Sequence, residues 1–279
     1  MKKESTTTQD GNYHPLLGAA KFPGLDELRG LAALTVIPGH FEGLKRGYSM
    51  PASPWFPIPG KVGVVLFFVL SGFLITALLL KERQKTGSVR LVGFYFRRAL
   101  RIWPLYFLMI FFVFFFFDKV PFFHKPGYSD AFYEKMDARN YLVWLFILSN
   151  YRTVQIPFLG HFWSISVEEQ YYLFQPIIVK FVKNTLALAC VMCSAIFLPE
   201  ILEVVKQIVG APIAGYIGIF SPIVTKWFAC IAVGSFGAVL CFRYPEQVRL
   251  LVHHKVTQIA AVGGFVLFII AFKTVGKDI

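Results

Sequence analysis

The 279 residues are 56% hydrophobic and only 16% charged, with 31 phenylalanines and a positive mean hydropathy. That balance excludes an ordinary soluble domain and points to a chain that crosses a membrane several times. The formal charge of +12 reads as cytoplasmic loops rich in Lys and Arg rather than a nucleic-acid surface, so no nucleic-acid partner is expected.

Residues 1–23 are polar and lack the early apolar core of a cleaved secretory signal, which predicts a tail that stays in the cytoplasm. Residues 24–44, GLDELRGLAALTVIPGHFEGL, turn apolar after Gly30 yet keep Asp26, Glu27, Arg29, His40 and Glu42. In a helix, Arg29 and His40 return to within about 20° of the same face and stand about 16 Å apart along the axis. Pro38 would disturb the backbone near Leu34. Arg29 either snorkels at the interface beside Asp26 or receives the anionic end of a ligand near the cytoplasmic surface. His40 is either a satisfied polar group of a helix bundle or a base within the membrane, since neutral imidazole exchanges protons near neutral pH.

Residues 62–80 carry no charge and make about 28 Å of helix, enough to span. Ser71 and Gly72 inside this run serve either helix packing or the close approach of a donor to the backbone. Lys81, Arg83, Lys85, Arg90, Arg97, Arg98 and Arg101 follow, with Glu82 as the single acid, which places residues 81–101 in the cytoplasm. Arg97 and Arg101 share a helix face at i and i+4. These cations act as a topology signal or as a grip on phosphates. Residues 102–117 return outward with Pro104 in the first turn, and 118–139 form an external loop. Residues 141–149 are too short to cross and read as re-entrant or interfacial.

Further spans are expected at 163–182, at 185–198, within 213–242 and at 256–272, the loop with Arg243, Arg249 and Lys255 being cytoplasmic. The sum is an all-α, polytopic transmembrane helical bundle of about seven to eight membrane segments. Ser166-x-x-Glu169 reads as a capping box, leaving Glu168 as the better functional acid, and Tyr171 with Tyr172 reads as an interfacial aromatic belt. Cys190 and Cys193 form a C-x-x-C with no second ligand pair, so helix packing is expected and a metal is not.

Four strings stand in order along residues 24–235: LDELRGLAALTVIPGH, GVVLFFVLSGFLIT, FYFRRALRIWPLYF and GHFWSISVEEQYYLFQPII. Together they resemble the acyltransferase-3 family of membrane acyltransferases, which includes O-antigen and exopolysaccharide O-acetylases. The resemblance implies transfer of an acyl group, usually acetyl from cytoplasmic acetyl-CoA, to a hydroxyl of a cell-surface carbohydrate or similar acceptor. It carries the family's Arg and His onto Arg29 and His40, its basic motif onto Arg97, Arg98 and Arg101, its S-G-F onto Ser71, Gly72 and Phe73, and its acidic motif onto Trp163, Ser164, Glu168 and Glu169. In that scheme the acyl-CoA phosphates dock on Arg29, Arg97, Arg98 and Arg101, His40 is the general base, and Glu168 supports it. Trp163, Ser164 and Glu169 face the acceptor. Lys226 stands where the family has an Arg. The resemblance further implies a bacterial cytoplasmic membrane location and a domain at 24–279 that is incomplete at its C-terminus, since the family core runs through more spans. The rival reading is a transporter or flippase for an anionic lipid-linked or sugar substrate, its path lined by the same Arg and His; no internal repeat supports it.

Overall fold

A computed structural model describes residues 24–47, 50–51, 60–116, 120, 138–151, 159–209 and 226–275. Among them there is no strand. The helices are α1 (Leu25–Gly47), α2 (Gly60–Thr86), α3 (Leu91–Phe115), α4 (Ala138–Leu145), α5 (Trp163–Phe181), α6 (Thr185–Ile208), α7 (Lys226–Arg243), α8 (Pro245–His253) and α9 (Lys255–Val275). The polar tail 1–23, most of the loop 118–139 expected outside and the first part of the 213–242 segment lie outside the described residues.

α2 is the central post, with α1, α5 and α7 packed on it. α1 lies antiparallel on it along a seam of small residues: Gly39 meets Gly60, and Gly63 meets Thr35 and the Ala32 carbonyl. α7 crosses α2 on another side, here running parallel to it, with Trp227 near Phe68 and Ala238 near Ala77; at the crossing Gly72 abuts the Ile231 backbone and Gly234 abuts that of Val69. Backbones come this close only where side chains are absent, the usual device for joining helices when lipid offers no hydrophobic drive. Ser235 Oγ donates to the Gly72 carbonyl at 3.2 Å and accepts from Tyr171 OH at 2.7 Å, which ties α2, α5 and α7 together. α5 runs parallel to α2, through Gln175 Nε2 to Thr76 Oγ1 at 2.7 Å and Arg83 Nη1 to the Val179 and Val182 carbonyls at 2.7 and 2.8 Å. Arg83 thereby satisfies carbonyls that the end of α5 leaves open.

Several boundaries differ from the sequence expectation. α3 begins at Leu91, well before residue 102, so Arg97, Arg98 and Arg101 stand on the helix and Pro104 lies inside it. Charge marks the edge of the hydrocarbon, but Arg, Ala and Leu are good helix formers and carry the helix beyond that edge. α1 likewise runs unbroken across Pro38. Residues 141–149 do not form a crossing helix. α4 spans only eight residues, the chain then turns through Ile147 at a φ of 57°, and a 3-10 turn follows at Ser149–Tyr151. One side of this segment is anchored, with Trp144 buried and its carbonyl accepting from Tyr106 OH at 2.9 Å, while Tyr141, Leu142, Leu145 and Phe146 are exposed.

The capping box is also overturned. α5 starts at Trp163 after a 3-10 turn, Gly160–Phe162, with no side-chain cap. Ser166 is engaged elsewhere, its Oγ accepting from the Ser149 amide at 3.0 Å and lying 2.7 Å from Ser149 Oγ. Tyr171 and Tyr172 are core residues, 3% and 2% exposed, not a belt.

Four described helices, α2, α3, α6 and α7, are long and apolar enough to cross a membrane, and α8 with α9, bent by 73°, makes up to five. The expected seven to eight segments are thus not all met. α1 carries Asp26, Glu27, Arg29 and Glu42, and α5 carries Glu168, Glu169 and Lys180. Those helices hold too much charge to qualify by composition, and they bring Arg29, His40, Glu168 and Glu169 to the site.

Candidate active site

Phe67 and Ser71 are one turn apart on the same face of α2. Arg29 from α1 lays its guanidinium 5.0 Å above the Phe67 ring. Below it, Ser71 adjoins Tyr172 of α5, and the Arg98 guanidinium from α3 sits 3.9 Å over the Tyr172 ring. Tyr172 OH donates to Glu168 Oε1 at 3.0 Å, and Trp103 Nε1 reaches Glu169 Oε2 at 3.4 Å. Arg98 is the cation whose field reaches both Glu169 and Tyr172.

This layer is incompletely satisfied. Among the described residues, the buried side-chain polar atoms without a hydrogen-bond partner are Arg29 Nε, Ser71 Oγ, Arg98 Nε and Glu169 Oε1; the Tyr172 hydroxyl near Ser71 is committed to Glu168. A buried orphan costs roughly 1–3 kcal/mol, and folded proteins rarely keep several together. All of them belong to residues singled out by the sequence. The donor set, two guanidinium N–H groups and a hydroxyl with one carboxylate oxygen as acceptor, suits a polar, partly anionic guest.

The basic motif is split. Arg98 is buried, whereas Arg97 and Arg101 are exposed. Arg97 Nη2 lies 3.8 Å from Glu82 Oε2 in a surface ion pair, beside an open groove of about 530 Å³ lined by Arg90, Leu91, Val92, Gly93, Arg97 and Lys180. Glu82 is about 22 Å along α2 from Phe67, so Arg29 does not stand beside the basic rim. The cations expected to share one phosphate site thus differ in setting, Arg29 and Arg98 lying over rings of the bundle and Arg97 and Arg101 being exposed.

His40 is exposed on α1, and its ring contact is with His161, at 5.4 Å between centroids and 67° between planes. Glu168, expected beside His40, is held by Tyr172 instead. Trp163 packs with Phe68 and Trp227 at centroid distances of 6.1 and 5.0 Å, and Ser164 Oγ donates to the His161 carbonyl at 2.9 Å. These two shape the wall and the turn. The close approach that Gly72 permits is taken by Ile231 of α7, so its role is packing. Sequence reasoning quoted His161 inside GHFWS without giving it a role; the available signal was its place just ahead of the acid pair.

Unpaired guanidinium, hydroxyl and carboxylate atoms buried among apolar helices mark a helical membrane protein with polar groups set within its bundle. The chain belongs to the acyltransferase-3 family, whose profile, described as an acyltransferase domain, matches residues 22–277. It is similar to the peptidoglycan O-acetyltransferase OatA of Listeria monocytogenes, 35% identical over 176 residues, 58% of this chain and 25% of that protein. It is also similar to the O-acetyltransferase OatA of Staphylococcus aureus, 32% identical over 164 residues, 57% of this chain and 25% of that one. The chain thus spans about a quarter of the length of these curated relatives. No solved structure matches it.

Proposed function

We propose that the chain is a membrane O-acyltransferase that moves an acyl group, acetyl in the first instance, from cytoplasmic acetyl-CoA to a hydroxyl of a cell-surface carbohydrate. It sits in the cytoplasmic membrane with its N-terminal tail inside. Peptidoglycan, named for the Listeria relative, is the first acceptor to try. The observation that supports this reading is the set of orphaned groups on Arg29, Ser71, Arg98 and Glu169, which gives a polar guest partners that the fold itself leaves open.

Acetyl-CoA supplies an acyl group already activated as a thioester. The chain supplies the rest. Arg97 and Arg101 attract phosphate at the exposed rim, while Arg29 and Arg98 offer fixed positive charge inside, where the low dielectric strengthens it. Ser71 Oγ can donate to, and Glu169 Oε1 can accept from, polar groups along the donor's arm, which leaves the thioester end to reach His40, about 16 Å from Arg29 along the helix axis. Glu168 acts at one remove, holding Tyr172 and through it the plane of Arg98. Trp163 and Ser164 keep the wall and the turn in place. His40 removes the proton of the acceptor hydroxyl, a role that typically contributes 10²–10⁴-fold.

The test is transfer of radiolabelled acetyl from acetyl-CoA to peptidoglycan fragments by the protein in nanodiscs. His40→Ala should lower the rate at least about 100-fold with insertion intact. A His40→Ala variant as fast as wild type removes His40 from the chemistry, and movement of acceptor without release of CoA replaces the enzyme with the transporter.

A further inference from the structure

We infer that His161 is a positioning residue for His40, an inference that rests on the transfer reading above. The two rings meet from distant parts of the chain, His40 from α1 and His161 from the 3-10 turn Gly160–Phe162 that leads into α5. Their anchorage is unequal. His40 is exposed on a helix joined chiefly to α2, and an exposed side chain samples several rotamers. His161 rides on a braced turn. The Phe162 amide donates to the Leu159 carbonyl at 3.1 Å, and Ser164 Oγ donates to the His161 carbonyl at 2.9 Å. Phe162 is buried against Tyr106 and Trp144 at centroid distances of 4.9 and 6.2 Å, and its own ring meets the His161 ring edge-on at 4.8 Å.

A base must be held in one orientation, with one nitrogen free to accept, and the partner of the other nitrogen decides which. Glu168 is the usual type of partner for that task, but it accepts from Tyr172 one turn further along α5. Among the described residues, a group that does face His40 is a second imidazole, which can both donate and accept. His161 therefore acts through His40, fixing its ring.

The test is steady-state kinetics in nanodiscs with acetyl-CoA and acceptor varied separately, for wild type, His161→Phe and His161→Asn. Phe keeps a flat ring in contact and removes the nitrogens. Its kcat should fall about 10- to 100-fold with the KM for acetyl-CoA nearly unchanged, and Asn should restore part of the loss. A His161→Phe variant of wild-type kcat overturns the inference, as does an equal loss in both variants with KM raised. Should Phe prevent insertion, His161→Ala at this exposed turn carries the same comparison: imidazole in the buffer should recover part of the rate, and a wild-type kcat in its absence overturns the inference. If wild type itself transfers no label, the transfer reading fails and takes this inference with it; an active wild type beside an active His161→Phe removes the inference alone.

Discussion

Arg98 rests its guanidinium on a tyrosine face, and Tyr172 in turn holds Glu168, so one ring joins a cation to an acid. The two links are separable. Tyr172→Phe keeps the surface under Arg98 and removes only the hydroxyl bond, which should cost about 1–2 kcal/mol, while Tyr172→Leu should cost about 2 kcal/mol more by removing the cation–π contact. Thermal unfolding of the two variants in detergent measures the difference. At this scale the sequence revealed the residue types but not their partners. Ser166 and Glu169 fit a capping spacing, yet the partner of Ser166 is Ser149, 17 positions away, and no local pattern encodes that. Tyr171 and Tyr172 looked interfacial because aromatic residues near a predicted helix end do not disclose whether they face lipid or protein.

Helices α2 and α7 are joined where Gly72 and Gly234 each face a backbone carbonyl of the other helix. A methyl at either position collides with main chain, which cannot rotate away as a side chain does. Gly72→Ala and Gly234→Ala should each destabilise by about 1–3 kcal/mol or more, as overpacking does. Gly43 of α1 has open space around its Cα, and Gly43→Ala should raise stability by about 0.5–1 kcal/mol through helix propensity. The contrast among the three melting temperatures checks the seam. The S-G-F string announced a special glycine, but only the arrangement of α2 and α7 decides that the neighbour is Ile231. Helix ends were less legible. The start of α3 was expected at 102 because hydropathy reports where lipid stops, whereas the backbone hydrogen bonds continue to Leu91.

Membrane topology tests the molecule as a whole. In a variant lacking Cys190, Cys193, Cys230 and Cys241, single cysteines at Ser88 and Val120 flank α3 at opposite ends. An impermeant maleimide applied to intact cells should label Val120→Cys, and Ser88→Cys only after permeabilisation, as the cations of residues 81–101 require. The reverse pattern would invert the orientation. The all-helical character and the apolar course of α2 were plain from composition. The number of crossings was not, because α1 and α5 mix lipid-compatible length with the ionisable groups of the site. The glycine seam between α1 and α2 has one more mechanical consequence. His40 directly follows Gly39, which touches Gly60, so a point where α1 rests on α2 adjoins the proposed base itself. An added methyl there would act as a shim, tilting the helix like a door hung on a thickened hinge and swinging the imidazole out of register without removing a single charged or hydrogen-bonding group.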